Sequence, residues 1–379
     1  MTTDLHIYSK EELFNLKPCL PDTETERKVQ KIWDMVAKPL SGLGIFEELF
    51  VQIGGITGKA DFNLDKKGII VMCADNGIVE SGVSQSGQEV TAIVAKCMGQ
   101  NQSSVGKMCS VAKADVIPVD IGMNTDEQFE GVLSRKVAKG TKNFLYEDAM
   151  TPNQALEAIS IGIDMVRRCH EDGYTILGTG EMGIGNTTTS SAMAVAFLKC
   201  KASEVTGKGA GLTDEGLRNK ISIIEEALKK KSLGKYSKIN SMSIDGDILT
   251  EEYQKEETLK ILSAVGGFDI AGLCGVFIGG ALYGIPVVVD GLISLVAAVT
   301  AERLLPGCKK YIIGSHCGKE PAINILNKEI GIKPVINANL ALGEGTGVAM
   351  FFPLLDVAMA VYKSSSTFDN ISLEQYQRY

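Results

Sequence analysis

The segment TILGTGEMGIGNTTTSSAMAVAFLK, residues 175–199, contains the features that decide the fold. It begins with a short apolar run, Thr175–Leu177, of the kind that is buried in a parallel sheet. A glycine-rich stretch follows, and Thr187–Lys199 then has the composition of a buried helix. The order strand, glycine-rich turn and helix predicts one unit of an α/β fold.

The same order of elements recurs on both sides of this segment. Further apolar runs end in polar or glycine-containing loops, as buried parallel strands do. These runs are Ile69–Cys73, Val116–Val119, Pro286–Val289 and Tyr311–Ile313. Helical patterns accompany them at Glu89–Met108, Asn153–Glu171, Leu217–Lys230, Asp269–Gly279 and Leu292–Leu304. Alternating strands and helices predict a doubly wound, mostly parallel sheet, with the functional site at the carboxyl ends of its strands.

Both ends of the chain have helical patterns outside this α/β body. Residues 1–60 carry apolar side chains at helical spacing, and Met350–Tyr362 does so again near the C-terminus. Such helices need a surface against which their apolar sides can pack. We therefore expect residues 1–65 and 350–379 to form a small helical domain, and residues 66–349 to form the larger α/β domain.

The composition argues against several classes of protein. A net charge of −8 argues against a nucleic-acid partner, because nucleic acid is also negatively charged. The apolar stretches are interrupted before they reach the roughly 20 residues of a membrane span, and the N-terminal residues lack the pattern of a secretory signal. The 9 cysteines form no C-x-x-C pair and accompany only 3 histidines. We therefore expect free thiols in a reducing cytoplasm and no zinc site.

The segment Gly178–Thr189 is the strongest local signal for ligand binding. Its four glycines would let several backbone amides converge, and Asn186 can cap the helix that follows. This pattern predicts a site for a phosphate or another anion, with a plain strand-to-helix turn as the alternative. The segment also contains G-x-G-x-x-G, which raises a nicotinamide-dinucleotide oxidoreductase as a second hypothesis. That hypothesis is weak, because Glu204 lies in a glycine-rich loop where the fingerprint needs an acidic residue on a strand.

A second glycine loop, Gly207–Leu212, follows the predicted helix. It lacks the order of a P-loop, G-x-x-x-x-G-K-[ST]. Lys208 and Lys220 are candidate phosphate partners near it, and a solvated lysine is the alternative for each.

The motif LGEGTG, Leu342–Gly347, places a carboxylate between glycines, where a ligand has room beside it. Apolar residues surround Glu344 in the sequence. Partial burial would raise the pKa of this carboxyl toward the range of a general base. An exposed glutamate in a turn is the alternative.

Two polar loops after predicted strands complete the candidate site. Residues 74–91 follow the first strand and should shape the entrance for a substrate. Ser315–Pro321 follows the last strand and contains His316 beside Cys317. Neighbouring residues on a strand point to opposite faces, so we do not expect a Cys–His nucleophile.

Taken together, these segments resemble one family, the nicotinate-nucleotide–dimethylbenzimidazole phosphoribosyltransferases of cobamide lower-ligand assembly. The matching strings occur in the family's order from about residue 74 to 362. They are ADNGIVESGVS with QEVT, GEMGIGNTT, VTGKGAGLTDEGLRNK, GGFDIAGL, IPVVVDGLIS, LGEGTG and PLLDVAMAVY. GEMGIGNTT and LGEGTG are highly specific together.

The resemblance implies a Rossmann-like large domain, a small helical domain and a homodimer, with a heterodimer of related subunits as the alternative. It implies that Glu344 is the catalytic base. It assigns the phosphate and ribose of the donor to Glu181, Gly183, Ile184, Gly185, Asn186, Thr187, Lys220 and Asp290. It assigns the acceptor base to Ser84, Gln85, Ser86, Gln88, Leu342 and Gly343.

The implied reaction moves the phosphoribosyl group of nicotinate mononucleotide to an aromatic base, which yields an α-riboside 5′-phosphate and nicotinate. The bound nicotinate ring is already a pyridinium, so its glycosidic bond is weak. The acceptor attacks C1′ from the opposite face, and Glu344 takes its proton. The resemblance implies neither a metal nor a cofactor, and positioning should supply much of the acceleration.

The chain departs from the family pattern where the acceptor should bind. Asn76 stands where the family usually has His, and Ser86-Gly87 stand where it usually has an aromatic residue and Pro. The string SHCGKE also differs from the usual SHRSAE-like string. We therefore expect an acceptor other than dimethylbenzimidazole, such as another benzimidazole, a purine or a phenolic compound. A catalytically weak partner subunit, or a non-catalytic binding protein, is the alternative function.

Overall fold

The computed structural model describes residue 7, residues 9–236 and residues 251–378. Within these residues, its strands are β1 (Lys67–Ala74), β2 (Ala114–Gly122), β3 (Leu133–Ser134), β4 (Ile176–Met182), β5 (Val287–Val289), β6 (Ile312–Gly314), β7 (His316–Gly318) and β8 (Ile336–Leu340). Its helices are α1 (Lys10–Phe14), α2 (Thr23–Met35), α3 (Ile45–Thr57), α4 (Glu89–Gly99), α5 (Ser104–Ala112), α6 (Pro152–Glu171), α7 (Asn186–Leu198), α8 (Ala202–Val205), α9 (Asp214–Lys230), α10 (Glu251–Val265), α11 (Phe268–Tyr283), α12 (Leu292–Leu304), α13 (Ala322–Ile330) and α14 (Thr346–Ser364).

Six of the strands form one parallel sheet in the order β3-β2-β1-β4-β5-β6. The direction of winding reverses beside β1, and the carboxyl ends of the strands share one edge. This order is that of a doubly wound Rossmann-like sheet, so the predicted fold class is confirmed. The strands β7 and β8 pair separately, also in parallel.

Helices cover both faces of the large sheet, and alternate side chains of β1 pack against them. All of its residues are buried. Ile70 and Met72 enter a core with α6, α11 and α12, whereas Ile69 and Val71 enter a second core with α2, α3, α5 and α14. The alternation follows from the period of a strand, and the absence of a polar face explains why β1 reads as one continuous apolar run.

The helices α6 and α11 pack unusually closely because glycines face their backbones. A Cβ built on Gly275 would lie 2.0 Å from the carbonyl oxygen of Ile159. A Cβ built on Gly162 would lie 2.0 Å from the carbonyl oxygen of Gly272. The contact therefore holds α11, and the loop that precedes it, against one face of the sheet.

The two ends of the chain meet in an aromatic cluster. The ring of Trp33 lies 5.4 Å from that of Phe50 and 5.0 Å from that of Tyr362, measured between centroids. Val36 and Thr367 form an antiparallel bridge beside it. This cluster is continuous with the core on one face of the sheet. The ends therefore pack against each other, whereas the division into two domains at residues 65 and 350 stays a prediction.

Several elements differ from the sequence-based expectation. The helix predicted over Glu89–Met108 is broken into α4 and α5, because Asn101 adopts φ +55 and Ser103 caps α5 by accepting a hydrogen bond from the Gly106 amide. The strand predicted over Thr175–Leu177 continues to Met182. The strands β7 and β8 were not predicted.

The helix α14 is apolar and long enough to cross a membrane. Half of its most apolar window is buried inside the protein, where Phe351, Phe352 and Leu355 pack in the core. These contacts are those of a core helix.

Replacing Gly275 with Ala should destabilise the protein by about 1–3 kcal/mol, since the new methyl group must displace the α6 backbone. The control is Gly216→Ala on α9, where the new Cβ would lie 3.1 Å from the flexible Leu212 side chain. This variant should be neutral or gain up to about 1 kcal/mol. Urea unfolding measures both, and equal stability of the two variants would contradict the packing described for α6 and α11.

Candidate active site

A cavity of about 300 Å³ opens at the carboxyl ends of β4 and β5. The turn after β4, the segment after β5, the loop after β1 and residues 340–344 form its walls. It lies beside the reversal of the strand order, where ligands bind in doubly wound folds. The predicted site residues that line it are Ser84, Gln85, Glu181, Gly183, Ile184, Gly185, Asn186, Thr187, Asp290, Leu342, Gly343 and Glu344.

The turn from β4 into α7 forms one end of the cavity. Gly185 precedes the helix with φ +94, and a Cβ on Gly183 would lie 2.4 Å from the carbonyl oxygen of Ala74. Glycine is therefore needed at both positions for the turn to pack on the end of β1. The N-terminus of α7 faces the cavity through Asn186 and Thr187. Its partial positive charge suits an anion. The amides of Asn186 and Thr188 also donate to the carbonyl oxygens of Gly183 and Gly185.

The other two glycines of this segment have a different role. Gly178 and Gly180 belong to β4 and not to the turn. A Cβ on Gly178 would lie 2.3 Å from the Val348 side chain, and one on Gly180 would lie 2.6 Å from the Glu344 carbonyl oxygen. The expectation that all four glycines converge on an anion is therefore wrong, because two of them admit α14 and the preceding loop to the sheet. The G-x-G-x-x-G likewise does not form a dinucleotide-binding turn.

Lys220 is fully buried beside the N-terminus of α7, although it does not line the cavity. Its Nζ donates to Thr187 Oγ1 at 2.9 Å and to the Gly207 carbonyl oxygen at 3.2 Å. Burial lowers the pKa of Lys220 to about 8, and the charge of Glu320 opposes this shift. A bound anion would favour the protonated form. Lys208 lines the cavity but is exposed.

Glu344 lines the same cavity and lies in a left-handed turn. Its φ is +61, and the glycines on either side have φ +87 and +88. The Asp290 carboxylate accepts hydrogen bonds from the Gly345 amide at 3.2 Å and the Gly347 amide at 2.9 Å. Glu344 Oε2 accepts from the Val105 amide at 3.4 Å. Burial raises the pKa of Glu344, the Val105 amide opposes this, and the charge of Asp290 adds to it.

Two further carboxyl groups meet at Asn186. The amide nitrogen of Asn186 donates to Glu181 Oε2 and, at 3.0 Å, to Asp269 Oδ2. Burial raises the pKa of Glu181 to about 8, and the charge of Asp269 adds to this shift. Burial also raises the pKa of Asp269 to about 6, while the Asn186 amide opposes the shift. Near neutral pH, Glu181 therefore holds a proton more readily than an ordinary glutamate does.

Sequence reasoning missed two residues of this site. His316 is buried and lines the cavity, with Nδ1 3.0 Å from Ser315 Oγ and 3.9 Å from Asp290 Oδ1. Its position after a predicted strand was a usable signal, but it was weighed only as a partner of Cys317. Asp269 was treated as the start of a helix, and no local pattern connects it with Asn186, which lies 83 positions away.

The predicted acceptor residues divide between two places. Ser84 and Gln85 line the cavity, whereas Ser86 and Gln88 do not. Gln88 lines a separate open cleft of about 650 Å³, where its Nε2 donates to the Asn76 carbonyl oxygen at 3.1 Å. The Ser86 amide donates to Ser84 Oγ at 3.2 Å. The structure therefore does not bring Gln88 together with Glu344 in one cavity.

The described part of the chain contains no group of three or more His, Cys, Asp or Glu side chains arranged to hold a metal ion. His6 lies outside the described residues. The cysteines are free thiols.

A Rossmann-like sheet with a helix N-terminus and a partly buried carboxylate in one crevice is suited to a transferase that acts on a nucleotide. The family model described as phosphoribosyltransferase matches residues 19–372. The chain therefore belongs to this phosphoribosyltransferase family, and the dinucleotide oxidoreductase hypothesis is set aside.

Relatives and solved structures agree with this membership. The chain is 40% identical to a nicotinate-nucleotide–dimethylbenzimidazole phosphoribosyltransferase of Clostridium acetobutylicum, over 94% of this chain and 96% of that protein. It is 40% identical to the protein of the same name from Acetivibrio thermocellus, over 92% and 94%. The crystal structure of CobT from Thermus thermophilus superposes with a TM-score of 0.82 at 29% identity, covering 93% of this chain and 100% of that one.

Replacing Lys220 with Met should raise the dissociation constant for ribose 5-phosphate about tenfold or more, since a charged hydrogen bond contributes about 1.5–3 kcal/mol. Wild-type affinity should fall as the pH rises through about 8, because Lys220 then loses its proton. Titration calorimetry measures both effects. The control is Lys230→Met at the exposed end of the same helix. Unchanged affinity in Lys220→Met would remove Lys220 from the anion site.

Proposed function

We propose that this protein transfers the phosphoribosyl group of nicotinate mononucleotide to an aromatic base. The products are an α-riboside 5′-phosphate and nicotinate, and the step belongs to assembly of the cobamide lower ligand. The observation that carries the proposal is the single cavity that both Glu344 and the N-terminus of α7 line. Family membership and the names of the relatives point to the same donor and reaction class.

The geometry suggests how the donor binds. Its 5′-phosphate would lie at the N-terminus of α7, where Lys220 supplies a positive charge through its contact with Thr187. The ribose would then extend along Glu181 and Asn186 toward Glu344. This order would place C1′ between the phosphate and the Glu344 carboxylate. The acceptor base would then meet C1′ beside Glu344.

In the reaction, a ring nitrogen or hydroxyl oxygen of the acceptor forms a bond to C1′ while the bond from C1′ to the nicotinate nitrogen breaks. The electron pair of the broken bond neutralises the pyridinium, and nicotinate leaves. Attack from the face opposite the leaving group inverts the β-nucleotide to an α-riboside. The proton of the acceptor passes to Glu344, which acts as a general base.

The environment of Glu344 sets the direction of the pH dependence. Burial raises the pKa of its carboxyl group, and the protonated form cannot accept a proton. The rate should therefore rise with pH until Glu344 is ionised. The Val105 amide and the hydrogen-bonded loop hold the ionised Glu344 carboxylate in place.

The acceptor end of the cavity is mixed in polarity. Val94, Met182 and Leu342 supply apolar surface, and Ser84 and Gln85 supply hydrogen-bonding groups. A flat ring with polar edge atoms suits this lining. We therefore propose a benzimidazole, purine or phenolic acceptor, with the usual aromatic-Pro pair replaced here by Ser86-Gly87.

Incubation with nicotinate mononucleotide and a panel of benzimidazoles, purines and phenols tests the function. Mass spectrometry should detect a riboside phosphate and free nicotinate with at least one acceptor. In Glu344→Gln, kcat should fall by about 10²- to 10⁴-fold while donor binding by calorimetry changes little. The control is Glu329→Gln, an exposed carboxylate on α13.

Two outcomes would contradict this account. Donor binding without nicotinate release from any acceptor would favour the alternative of a catalytically weak partner subunit. Full activity in Glu344→Gln would remove Glu344 from the mechanism.

We also propose a cytoplasmic homodimer, as the family resemblance implies. The helix α14 carries an exposed apolar stripe of Met350, Leu354 and Val357, which are 48%, 38% and 68% exposed. Their spacing places them on one side of the helix, where a second copy could cover them.

Sedimentation analysis should give twice the chain mass for the wild type and for Leu20→Lys, which changes another exposed apolar residue. Val357→Lys should shift the protein toward monomer, since the lysine would be buried in the interface. A monomeric wild type would contradict the dimer, and a related subunit that restores the dimeric mass would favour the heterodimer.

A further inference from the structure

Asp269 is a buried carboxylate in the motif GGFDIAGL that the reaction described above does not use. It lies in the first turn of α11, and none of its surface is exposed. Its Oδ1 accepts from the Ile270 amide at 3.0 Å, and its Oδ2 accepts from the Asn186 side chain at 3.0 Å. The close packing of α6 and α11 at Gly275 fixes the helix that carries it.

These contacts determine what Asn186 can offer to a ligand. A side-chain amide has two N–H hydrogens and one acceptor oxygen. Its nitrogen donates to both Glu181 Oε2 and Asp269 Oδ2, so both hydrogens are engaged. The polar atom that remains is Oδ1. Asn186 lines the cavity and can therefore accept a hydrogen bond from a ligand but has no hydrogen left to donate.

A hydrogen-bond acceptor such as Asn186 Oδ1 does not suit a phosphate. Phosphate oxygens need hydrogen-bond donors, and both side-chain hydrogens of Asn186 are already engaged. The candidate donors for a phosphate are the backbone amides of the turn into α7 and the Lys220 ammonium, and the Asn186 side chain is not one of them. A group that carries an O–H and no charge fits the space beside Asn186, and the ribose of the proposed donor has two such groups.

We propose that Asp269 is a positioning residue that orients the Asn186 amide, so that Asn186 accepts a hydrogen bond from a ribose hydroxyl of the donor and selects against deoxyribose. The inference rests on the proposed function for the identity of the donor. Asp269 acts through Asn186 and does not touch the substrate. Glu181 holds the second amide hydrogen and completes the orientation.

The test compares kcat/KM for nicotinate mononucleotide with kcat/KM for its 2′-deoxy and 3′-deoxy analogues. The wild type should favour the ribonucleotide by about tenfold or more over at least one analogue, because a site built to accept a hydroxyl hydrogen bond loses it there. Asp269→Ala should reduce this ratio about tenfold. Asn186→Ala should remove the same preference.

A double-variant cycle separates positioning from general damage. If Asp269 acts through Asn186, adding Asp269→Ala to Asn186→Ala should not change the ratio further. Glu47→Gln is the matched control, since it neutralises another buried carboxylate far from the cavity and should keep the wild-type ratio. If Asp269→Ala does not fold, Asp269→Asn replaces it. The side-chain amide introduced by Asp269→Asn has one acceptor oxygen for the two N–H donors of Ile270 and Asn186. Part of the preference for the ribonucleotide should therefore still be lost.

Two results would overturn the inference. One is equal use of all three donors by the wild type. The other is that Asp269→Ala lowers the ratio of kcat/KM values as much in the Asn186→Ala background as in the wild type. If the wild type releases no nicotinate with any acceptor, the proposed function fails separately. Calorimetric affinities for ribose 5-phosphate, 2-deoxyribose 5-phosphate and 3-deoxyribose 5-phosphate then supply the same ratios for the same variants.

Discussion

Two hydrogen bonds from backbone amides to the Asp290 carboxylate join the sheet to the loop that carries Glu344. Asp290 follows β5 directly, and it accepts from Gly345 and Gly347 on either side of the turn into α14. The turn has three successive residues with positive φ, of which Glu344 is the only non-glycine, and the two hydrogen bonds stabilise the turn around it. Gly180 completes the arrangement, because its missing side chain lets the Glu344 backbone lie against β4. The position of the proposed base therefore depends on the sheet itself.

Several carboxyl groups surround one cavity, and burial and hydrogen bonding determine which of them carry charge. Glu181 has a pKa of about 8 and Asp269 one of about 6, both raised by burial, so they do not all carry charge at neutral pH. Asn186 donates to both Glu181 and Asp269, and His316 Nδ1 lies 3.9 Å from Asp290 Oδ1. The buried Lys220 donates to Thr187, the second residue of α7. In the proposed complex, the phosphate of the donor would lie beside Lys220 and its C1′ near Glu344.

Local patterns were sufficient for the fold and for several of the segments that line the cavity. The apolar run of β1 and the GEMGIGN turn are contiguous, so periodicity and glycine spacing predict them directly. Contacts between distant segments could not be predicted in this way. Gly178 and Gly180 resembled an anion loop because their partners, Val348 and the Glu344 backbone, lie far later in the chain. Asp269 was missed for the same reason, and Gln88 was expected in the cavity with Glu344 but lines a separate cleft.

The central claim is that one cavity holds the donor with its phosphate at α7 and its C1′ near Glu344. A crystal structure of the protein with bound nicotinate mononucleotide tests this most directly. The account predicts phosphate oxygens within hydrogen-bonding distance of the amides at the start of α7, and open space for an acceptor between C1′ and the Glu344 carboxylate. A phosphate bound in the cleft beside Gln88, or a sugar that turns C1′ away from Glu344, would contradict it.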